Sequence, residues 1–139
     1  MVVLDANVVS EMMRDAPNPE VLAWLDERPT RELFVTAVGE AEVLAGIALL
    51  PEGRRRRGLT EAAEHAFGSL FAGRVLPFDS SAARSYADIA AARRAAGRSL
   101  SQADGQIAAI ARSHGMAVAT RNIRDFENMG IERFNPWTA

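Results

Sequence analysis

Short apolar runs and longer amphipathic segments alternate along the chain. Five runs rich in apolar or β-branched residues predict strands, and these are Val2–Leu4, Leu33–Val38, Arg74–Phe78, Met116–Thr120 and Ile131–Phe134. The first run is apolar throughout, as is typical of a central strand buried on both faces. The last run precedes a proline and is expected at an edge of the sheet.

Helical spacing of apolar residues predicts a helix or a brief helical turn between successive strands. The predicted helices are Val8–Arg14, Glu20–Glu27, Glu40–Leu50 with an apolar stripe of Val43, Leu44, Ile47 and Leu50, Leu59–Phe71, Ala82–Ala96, a helix that Ser101 opens and Ser113 closes, and a brief one within Arg121–Phe126. Strands that alternate with helices indicate an α/β fold. We therefore expect a single domain, residues 1–139, with a mainly parallel sheet of four to five strands and helices on both faces.

Composition excludes several kinds of site. The chain of 139 residues has no cysteine, which rules out thiolate zinc sites, cysteine nucleophiles and disulfides. The chain also contains no lysine, which excludes P-loop lysines and Schiff-base lysines. No segment approaches the roughly 20 apolar residues of a membrane span, and no secretion signal is visible. The lack of cysteine also fits a reducing cytoplasm, so the protein is expected to be cytoplasmic, without a membrane partner.

Acidic and amide side chains recur at one edge of the predicted sheet. Asp5 follows the first strand, Glu42 lies near the start of the helix after the second, and Asp104 begins the helix before the fourth. Asn122 and Asp125 come just past that fourth strand. The carboxyl ends of parallel strands form a common crevice in such sheets, so these residues are expected to meet there.

Carboxylates that meet in one crevice need a counter-charge. Two unit charges about 4 Å apart interact by about 4 kcal/mol at an effective dielectric near 20. A divalent cation offsets this repulsion, and an all-oxygen ligand set favours Mg²⁺ or Mn²⁺ over zinc. Such cations activate water and stabilise phosphorus during in-line displacement. The sequence therefore predicts phosphodiester hydrolysis.

An ordered set of motifs carries a resemblance to a known family. The motifs are Leu4–Glu11, Thr36–Gly46, Leu76–Asp79, Ser101–Ala109, Ala119–Asn122 with Asp125-Phe126, and Asn135–Trp137. With these motifs in this order, the chain resembles PIN-domain proteins, in particular the FitB-like branch of the VapC toxins, over essentially its whole length. The resemblance implies a three-layer α/β/α PIN-like fold.

The resemblance also implies an activity and partners. It implies a Mg²⁺- or Mn²⁺-dependent endoribonuclease that serves as the toxin of a type II toxin–antitoxin system and takes RNA as its substrate. The implied antitoxin is a small VapB-like DNA-binding protein whose C-terminal tail lies across the toxin and blocks the acidic pocket. Relatives form dimers, so a homodimer is expected.

Individual positions match the family's functional residues. Asp5, Glu42 and Asp104 match its three core acidic residues, which are implied to be catalytic and to hold the metal. Asn7 matches the amide that supports the first carboxylate, and Thr120 matches the hydroxyl before the fourth acidic position.

Two positions depart from the family pattern. Ala6 stands where a threonine or serine is common, which removes one hydroxyl near the site. Asn122 occupies the fourth acidic position, and Asp125 follows one helical turn later as a possible catalytic substitute. The number of metal ions therefore stays open.

Several residues have alternative interpretations. Asp5 and Asp104 each suit a helix N-cap or capping box as well as a metal site. Glu40 and Glu42 cannot share a helical face, and the resemblance favours Glu42. The arginines are either a solvated surface or phosphate contacts for RNA; the candidates are Arg54, Arg55, Arg56, Arg57, Arg93, Arg94 and Arg98.

Two functions from different classes remain. The first is the ribonuclease toxin described above. The alternative is a PIN-type scaffold that binds RNA or a partner protein without cleavage, and Ala6 and Asn122 are the features that favour it. A phospho-acceptor domain is disfavoured by the lack of lysine, and a dinucleotide-binding domain by the lack of a Gly-x-Gly-x-x-Gly turn after the first strand.

Overall fold

The five predicted strands form one parallel sheet. The computed structural model describes residues Met1–Ala139, and the sheet order is β3-β2-β1-β4-β5. The strands are β1 Val2–Leu4, β2 Leu33–Thr36, β3 Val75–Leu76, β4 Ala117–Ala119 and β5 Arg133–Phe134. Every neighbouring pair is parallel, which confirms the predicted sheet and places the last strand at its edge.

Six α-helices connect these strands. They are α1 Ala6–Met12, α2 Pro19–Asp26, α3 Ala37–Ala48, α4 Arg54–His65, α5 Ser80–Ala95 and α6 Gln102–Ser113. A π-helical turn, Ala66–Leu70, continues α4, and the short 3-10 turns Thr30–Glu32 and Ile123–Phe126 precede β2 and follow β4. None of the helices is long and apolar enough to cross a lipid bilayer.

The strand β1 divides the interior into two layers. Val2 and Leu4 point to one face, where they pack with residues of α1, α2, α3 and α4. Val3 points to the other face and packs with residues of α5 and α6, including Ile89 and Ile107. Since successive side chains of a strand alternate between faces, the three buried residues of β1 contribute to the hydrophobic cores on both faces of the sheet. The expected three-layer arrangement with helices on both faces is confirmed.

Three details differ from the sequence-based expectations. β2 ends at Thr36 because the Thr36 hydroxyl accepts a hydrogen bond from the Gly39 amide at 2.9 Å and caps α3, which begins before Glu40. α4 begins at Arg54, directly after Gly53 at a φ of 153°, and not at the predicted Leu59, so the arginine run forms its first turn. Leu44, assigned to the apolar stripe of α3, is 44% exposed.

Gly105 allows α5 and α6 to approach closely beside Asp104. A Cβ atom at Gly105 would lie 2.9 Å from the Tyr86 ring and 3.0 Å from a Leu100 methyl group. We expect Gly105→Ala to lower the free energy of unfolding by about 1–3 kcal/mol, because the neighbouring side chains must shift. Chemical denaturation measures this effect.

Gly58 provides the matched control for that substitution. It lies within α4, and a Cβ atom there would meet nothing within 4 Å. Gly58→Ala should raise the free energy of unfolding by up to about 1 kcal/mol, since alanine is the better helix former. Equal destabilisation by the two substitutions would contradict the close approach at Gly105.

Candidate active site

The register of the two central strands brings Asp5 beside Thr120. Leu4 pairs with Ala119, and the Asp5 amide donates a hydrogen bond to the Ala119 carbonyl at 2.9 Å. The next residue on each strand therefore lies at the same carboxyl edge of the sheet. Ligand-binding groups gather at this edge in open parallel sheets.

Both carboxylate oxygens of Asp5 are held by hydrogen bonds. Oδ1 accepts from the Ala6 amide at 2.8 Å, which makes Asp5 the N-cap of α1, and Oδ2 accepts from the Thr120 hydroxyl at 2.8 Å. The residue is 6% exposed. Burial raises the pKa of Asp5, the two hydrogen bonds oppose that rise, and the negative charge of Asp125 adds to it. Asp5 is thus both a helix cap and an oriented carboxylate.

Thr120 is the centre of a small polar network. Its hydroxyl oxygen accepts from the Asn122 amide at 3.1 Å and from the Asn7 side-chain amide at 3.4 Å. The Asn7 side-chain oxygen in turn accepts from the Arg121 amide at 3.4 Å. Asn7 and Thr120 therefore fix both the Asp5 carboxylate and the turn that follows β4.

Glu42 and Asp104 approach Asp5 from two helices. Partial burial and the charges of Asp5 and Asp104 raise the pKa of Glu42. Partial burial, followed by the charges of Asp5 and Asp125, raises the pKa of Asp104 to about 6, although the Arg93 guanidinium acts in the opposite direction. The three carboxylates hence share one electrostatic environment, as the spacing along the sequence predicted.

Asp104 is free of the capping role that its position suggested. The Ser101 hydroxyl caps α6 by accepting from the Asp104 amide at 3.4 Å, but the Asp104 carboxylate makes no return hydrogen bond to Ser101. On α3, burial and then the charges of Asp5 and Asp104 act on the pKa of Glu42. The carboxylates of Asp104 and Glu42 are both available to a ligand.

Asp125 and Asn122 differ in what they bring to the cluster. Asp125 lies in the 3-10 turn Ile123–Phe126, and its charge raises the pKa of both Asp5 and Asp104. Asn122 contributes its backbone amide, which donates to Thr120, while its side chain makes no hydrogen bond. The fourth negative charge near Asp5 is therefore that of Asp125.

The donor set suits a hard cation that keeps part of its water shell. No three acidic or histidine side chains already converge closely enough to enclose an ion by themselves. Mg²⁺ binds in this manner, through one or two carboxylates and several waters, and it demands oxygen ligands. The available groups are all carboxylates, their pKa values are raised by burial first and by neighbouring negative charges second, and they fit such a cation.

The candidate RNA-binding arginines fall into two groups, those whose guanidinium groups bond to other parts of the protein and those that are exposed. Arg93 is 5% exposed and donates to the carbonyls of Ser99 and Glu127, so the prediction that its guanidinium contacts RNA is wrong. Arg98 is occupied by a salt bridge to Glu127. Arg56 donates to the Leu50 carbonyl at 3.5 Å, whereas the remaining candidates are exposed; these are Arg54, Arg55, Arg57 and Arg94.

Arg121 and Trp137 border the site, although the sequence suggested no role for either. Together with Asn7 and Glu42 they line a groove of about 490 Å³. Trp137 belongs to the Asn135–Trp137 motif, but a motif at the end of the chain does not reveal which surface it folds against. The Arg121 guanidinium lies 5.2 Å from the centre of the Trp137 ring.

Comparison with known proteins identifies relatives over the full chain. The family description "PIN domain" matches residues 2–132. VapC ribonuclease Y4jK of Sinorhizobium fredii is 44% identical over 137 residues, which is 99% of this chain and 98% of that protein. Toxin FitB of Neisseria gonorrhoeae is 42% identical over 99% of both proteins.

A solved structure has the same fold. The structure of FitAB bound to an IR36 DNA fragment contains a chain that matches with a TM-score of 0.91 and 42% identity, over 99% of this chain and 96% of that one. The fold of this chain, with its five-stranded parallel sheet, is thus shared with that chain of the FitAB structure.

Stability should depend on pH through the acidic cluster. Because the pKa of Asp104 is raised from an ordinary 3.8 to about 6, the folded state binds more protons than the unfolded state between these values. Stability is therefore greatest below this window and falls as the pH rises through it. We expect the metal-free protein to lose about 1 kcal/mol between about pH 4 and pH 7, a value reduced for solvent screening of this partly exposed group.

Asp104→Asn isolates the contribution of that carboxylate. The substitution should remove most of the pH dependence and raise the melting temperature near neutral pH by about 2–4 °C. Thermal denaturation followed by circular dichroism, in the presence of a chelator, measures both effects. If the variant were less stable than the unaltered protein near neutral pH, the prediction that the ionised Asp104 carboxylate destabilises the fold would be wrong.

Proposed function

The chain belongs to the PIN-domain family, and from this premise we propose that it is a metal-dependent endoribonuclease that acts as the toxin of a toxin–antitoxin pair. The observation that carries the proposal is the convergence of Asp5, Glu42, Asp104 and Asp125 at the carboxyl edge of the sheet. The names of the two relatives, a VapC ribonuclease and a toxin, support the same activity.

Asp5, Glu42 and Asp104 would hold a Mg²⁺ or Mn²⁺ ion in part through water molecules that the ion retains, since the three carboxylates do not by themselves enclose a cation. Such a cation lowers the pKa of bound water and offsets the negative charge that develops on phosphorus during hydrolysis. Asp5 is pre-oriented by the Ala6 amide and the Thr120 hydroxyl, and each of its oxygens keeps a further lone pair. Thr120 and Asn7 thus act as positioning residues, whereas the carboxylates bind the cation.

Asp125 takes the place of the fourth acidic residue in this proposal. Asn122 cannot carry a negative charge, while the Asp125 charge acts on both Asp5 and Asp104 from the following turn. Its exposure at the rim of the cluster suits a role in orienting water or a second cation.

A DNA-binding antitoxin is the proposed partner. The FitAB relative was solved on a DNA fragment, which supports a partner that joins the toxin to DNA. The antitoxin would block the acidic pocket, and two copies of the chain would associate as a homodimer. An RNA substrate and a DNA-bound partner would both be met in the cytoplasm.

A non-cleaving RNA-binding or partner-binding scaffold is the second candidate. The absence of a preformed ligand cage and the presence of Asn122 favour it. Isothermal titration calorimetry separates the two candidates, since the ribonuclease must bind Mg²⁺ or Mn²⁺ at millimolar concentration. Partner binding without any heat of metal binding would favour the scaffold.

Removal of the metal or of a metal-binding carboxylate should abolish cleavage. The assay uses the purified chain, freed of any partner, with structured RNA and Mg²⁺ or Mn²⁺. We expect Asp5→Asn, Glu42→Gln and the addition of EDTA each to reduce cleavage to background, because the cation loses its ligands or is removed.

Glu40→Gln provides the matched control on the same helix. Glu40 precedes Glu42 by two residues and so lies on a different side of α3. This variant should keep most of the activity. Cleavage that persists after EDTA treatment or in the Asp5→Asn variant would overturn the proposal of a metal-dependent ribonuclease.

Substitutions at 122 and 125 test which residue supplies the fourth charge. Asp125→Asn should lower the rate of cleavage by about 10- to 100-fold, the range for groups that support a metal site. Asn122→Asp combined with Asp125→Asn should recover part of that loss. A measured rate that is unchanged in Asp125→Asn would remove Asp125 from the mechanism.

A further inference from the structure

The 3-10 turn that carries Asp125 has little support of its own. The Asp125 amide donates to the Asn122 carbonyl at 3.0 Å, and the amide after the turn, that of Glu127, donates to the Arg124 carbonyl at 3.3 Å. No side chain caps the turn, and Phe126 is its one buried residue. Since 3-10 segments have poor hydrogen-bond geometry, contacts from other parts of the chain are needed to hold this turn in one position.

Three arginines from separate segments make those contacts. Each donates a hydrogen bond to a different backbone carbonyl of the turn or of the residue that follows it. The pairs are Arg133 of β5 with the Ile123 carbonyl at 2.9 Å, Arg98 of the loop after α5 with the Arg124 carbonyl at 3.3 Å, and Arg93 of α5 with the Glu127 carbonyl at 3.0 Å. We call these three side chains the arginine clamp.

The Glu127 carboxylate keeps two arginines of the clamp in place. It forms a salt bridge with Arg98 and lies 3.9 Å from the Arg133 guanidinium. A guanidinium group is planar and presents five N–H donors in fixed directions, so it can bond a carboxylate and a carbonyl at the same time. Both side chains are about one-third exposed, and their charges are directed to the turn rather than to solvent.

Arg93 connects the turn to the helix that carries Asp104. Its Nε donates to the Ser99 carbonyl at 3.0 Å, while its Nη1 donates to the Glu127 carbonyl. Ser99 lies three residues before α6 begins at Gln102, and Asp104 is the third residue of that helix. The Arg93 side chain is buried. It therefore fixes the start of α6 and the turn with Asp125 relative to each other.

The Asp125 side chain depends entirely on the position of this turn. It is exposed, and it takes part in no salt bridge or side-chain hydrogen bond. Asp5 differs, because both of its carboxylate oxygens accept hydrogen bonds. The place of the Asp125 charge is hence set by the backbone that the arginines hold.

We propose that the arginine clamp positions Asp125 against Asp5 and Asp104 for RNA cleavage, so that its three arginines are positioning residues that contact neither the RNA nor the cation. A charge that is already in place accelerates a reaction because it need not reorganise when the transition state forms. The inference rests on the proposed ribonuclease function and on the role proposed there for Asp125.

A double-mutant cycle with Asp125 tests the clamp. Arg98→Gln combined with Arg133→Gln, the clamp variant, leaves the buried Arg93 in place so that the chain can fold. Cleavage is measured with Mg²⁺ at a temperature below the melting temperature of every variant. The clamp variant should cleave about tenfold more slowly than the unaltered protein. In the Asp125→Asn background the same two substitutions should change the rate by less than about twofold, because no carboxylate is left to position.

Arg74→Gln is the matched control. Arg74 also donates to backbone carbonyls, those of Leu33 at 2.9 Å and of Leu70. Leu33 begins β2, so this contact lies at the amino edge of the sheet, away from the acidic cluster. Arg74→Gln should lower the melting temperature but keep the cleavage rate within about twofold in both backgrounds.

Hydrogen exchange tests the clamp without any cleavage. Mass spectrometry in EDTA follows the peptide that contains residues 122–127. We expect its amides to exchange about tenfold faster in the clamp variant, since hydrogen bonds from charged groups to the turn are lost. In Arg74→Gln the exchange of this peptide should equal that of the unaltered protein.

The outcomes separate this inference from the proposed function. If the unaltered protein cleaves RNA but the clamp variant is slowed equally in both backgrounds, the arginines act on the fold as a whole and this inference alone is overturned. Unchanged exchange at residues 122–127 in the clamp variant, or full activity of Asp125→Asn, would overturn it as well. If the unaltered protein does not cleave RNA, the proposed function and this inference both fail.

Discussion

The hydrogen bond from the Thr120 hydroxyl to the Asp5 carboxylate joins the ends of the two central strands, and the acidic site is built around it. Both residues are buried, and the bond is 2.8 Å long. Because β1 and β4 are parallel and in register, the same contact sets the position of the turn that carries Arg121, Asn122 and Asp125. A buried carboxylate requires such partners, since its charge is otherwise poorly solvated.

Without a bound cation, the remaining carboxylates destabilise the folded protein. Burial raises the pKa values of Asp5, Glu42 and Asp104, and neighbouring negative charges add to the rise at each of them, so ionising these groups costs more in the folded chain than in the unfolded chain. Buried Arg93 offsets part of the rise in pKa at Asp104, while its guanidinium also holds the loop before α6 through Ser99. The fold thus maintains a concentration of negative charge that suits a bound cation.

The sequence predicted the elements of the site better than the positions of its long side chains. Apolar runs identified β1 and β4, and the sheet edge then grouped Asp5 with Asp104. The whole apolar run Leu33–Val38 was predicted to be a strand, although its last two residues begin α3. Short apolar runs suit a strand or a helix equally well. The burial of Arg93 could not be predicted, since its partners are backbone carbonyls in loops that folding brings together. The same applies to Trp137, whose neighbours come from a distant turn.

The two edges of the sheet limit how copies of this chain can associate. β3 and β5 are each two residues long, and Pro77 follows β3 immediately. Edges this short present few free backbone groups, and a proline has no amide hydrogen to donate. Joining two sheets into one continuous sheet across subunits is therefore disfavoured. Association through the outer surfaces of the helices would instead leave the carboxyl edge of each sheet open.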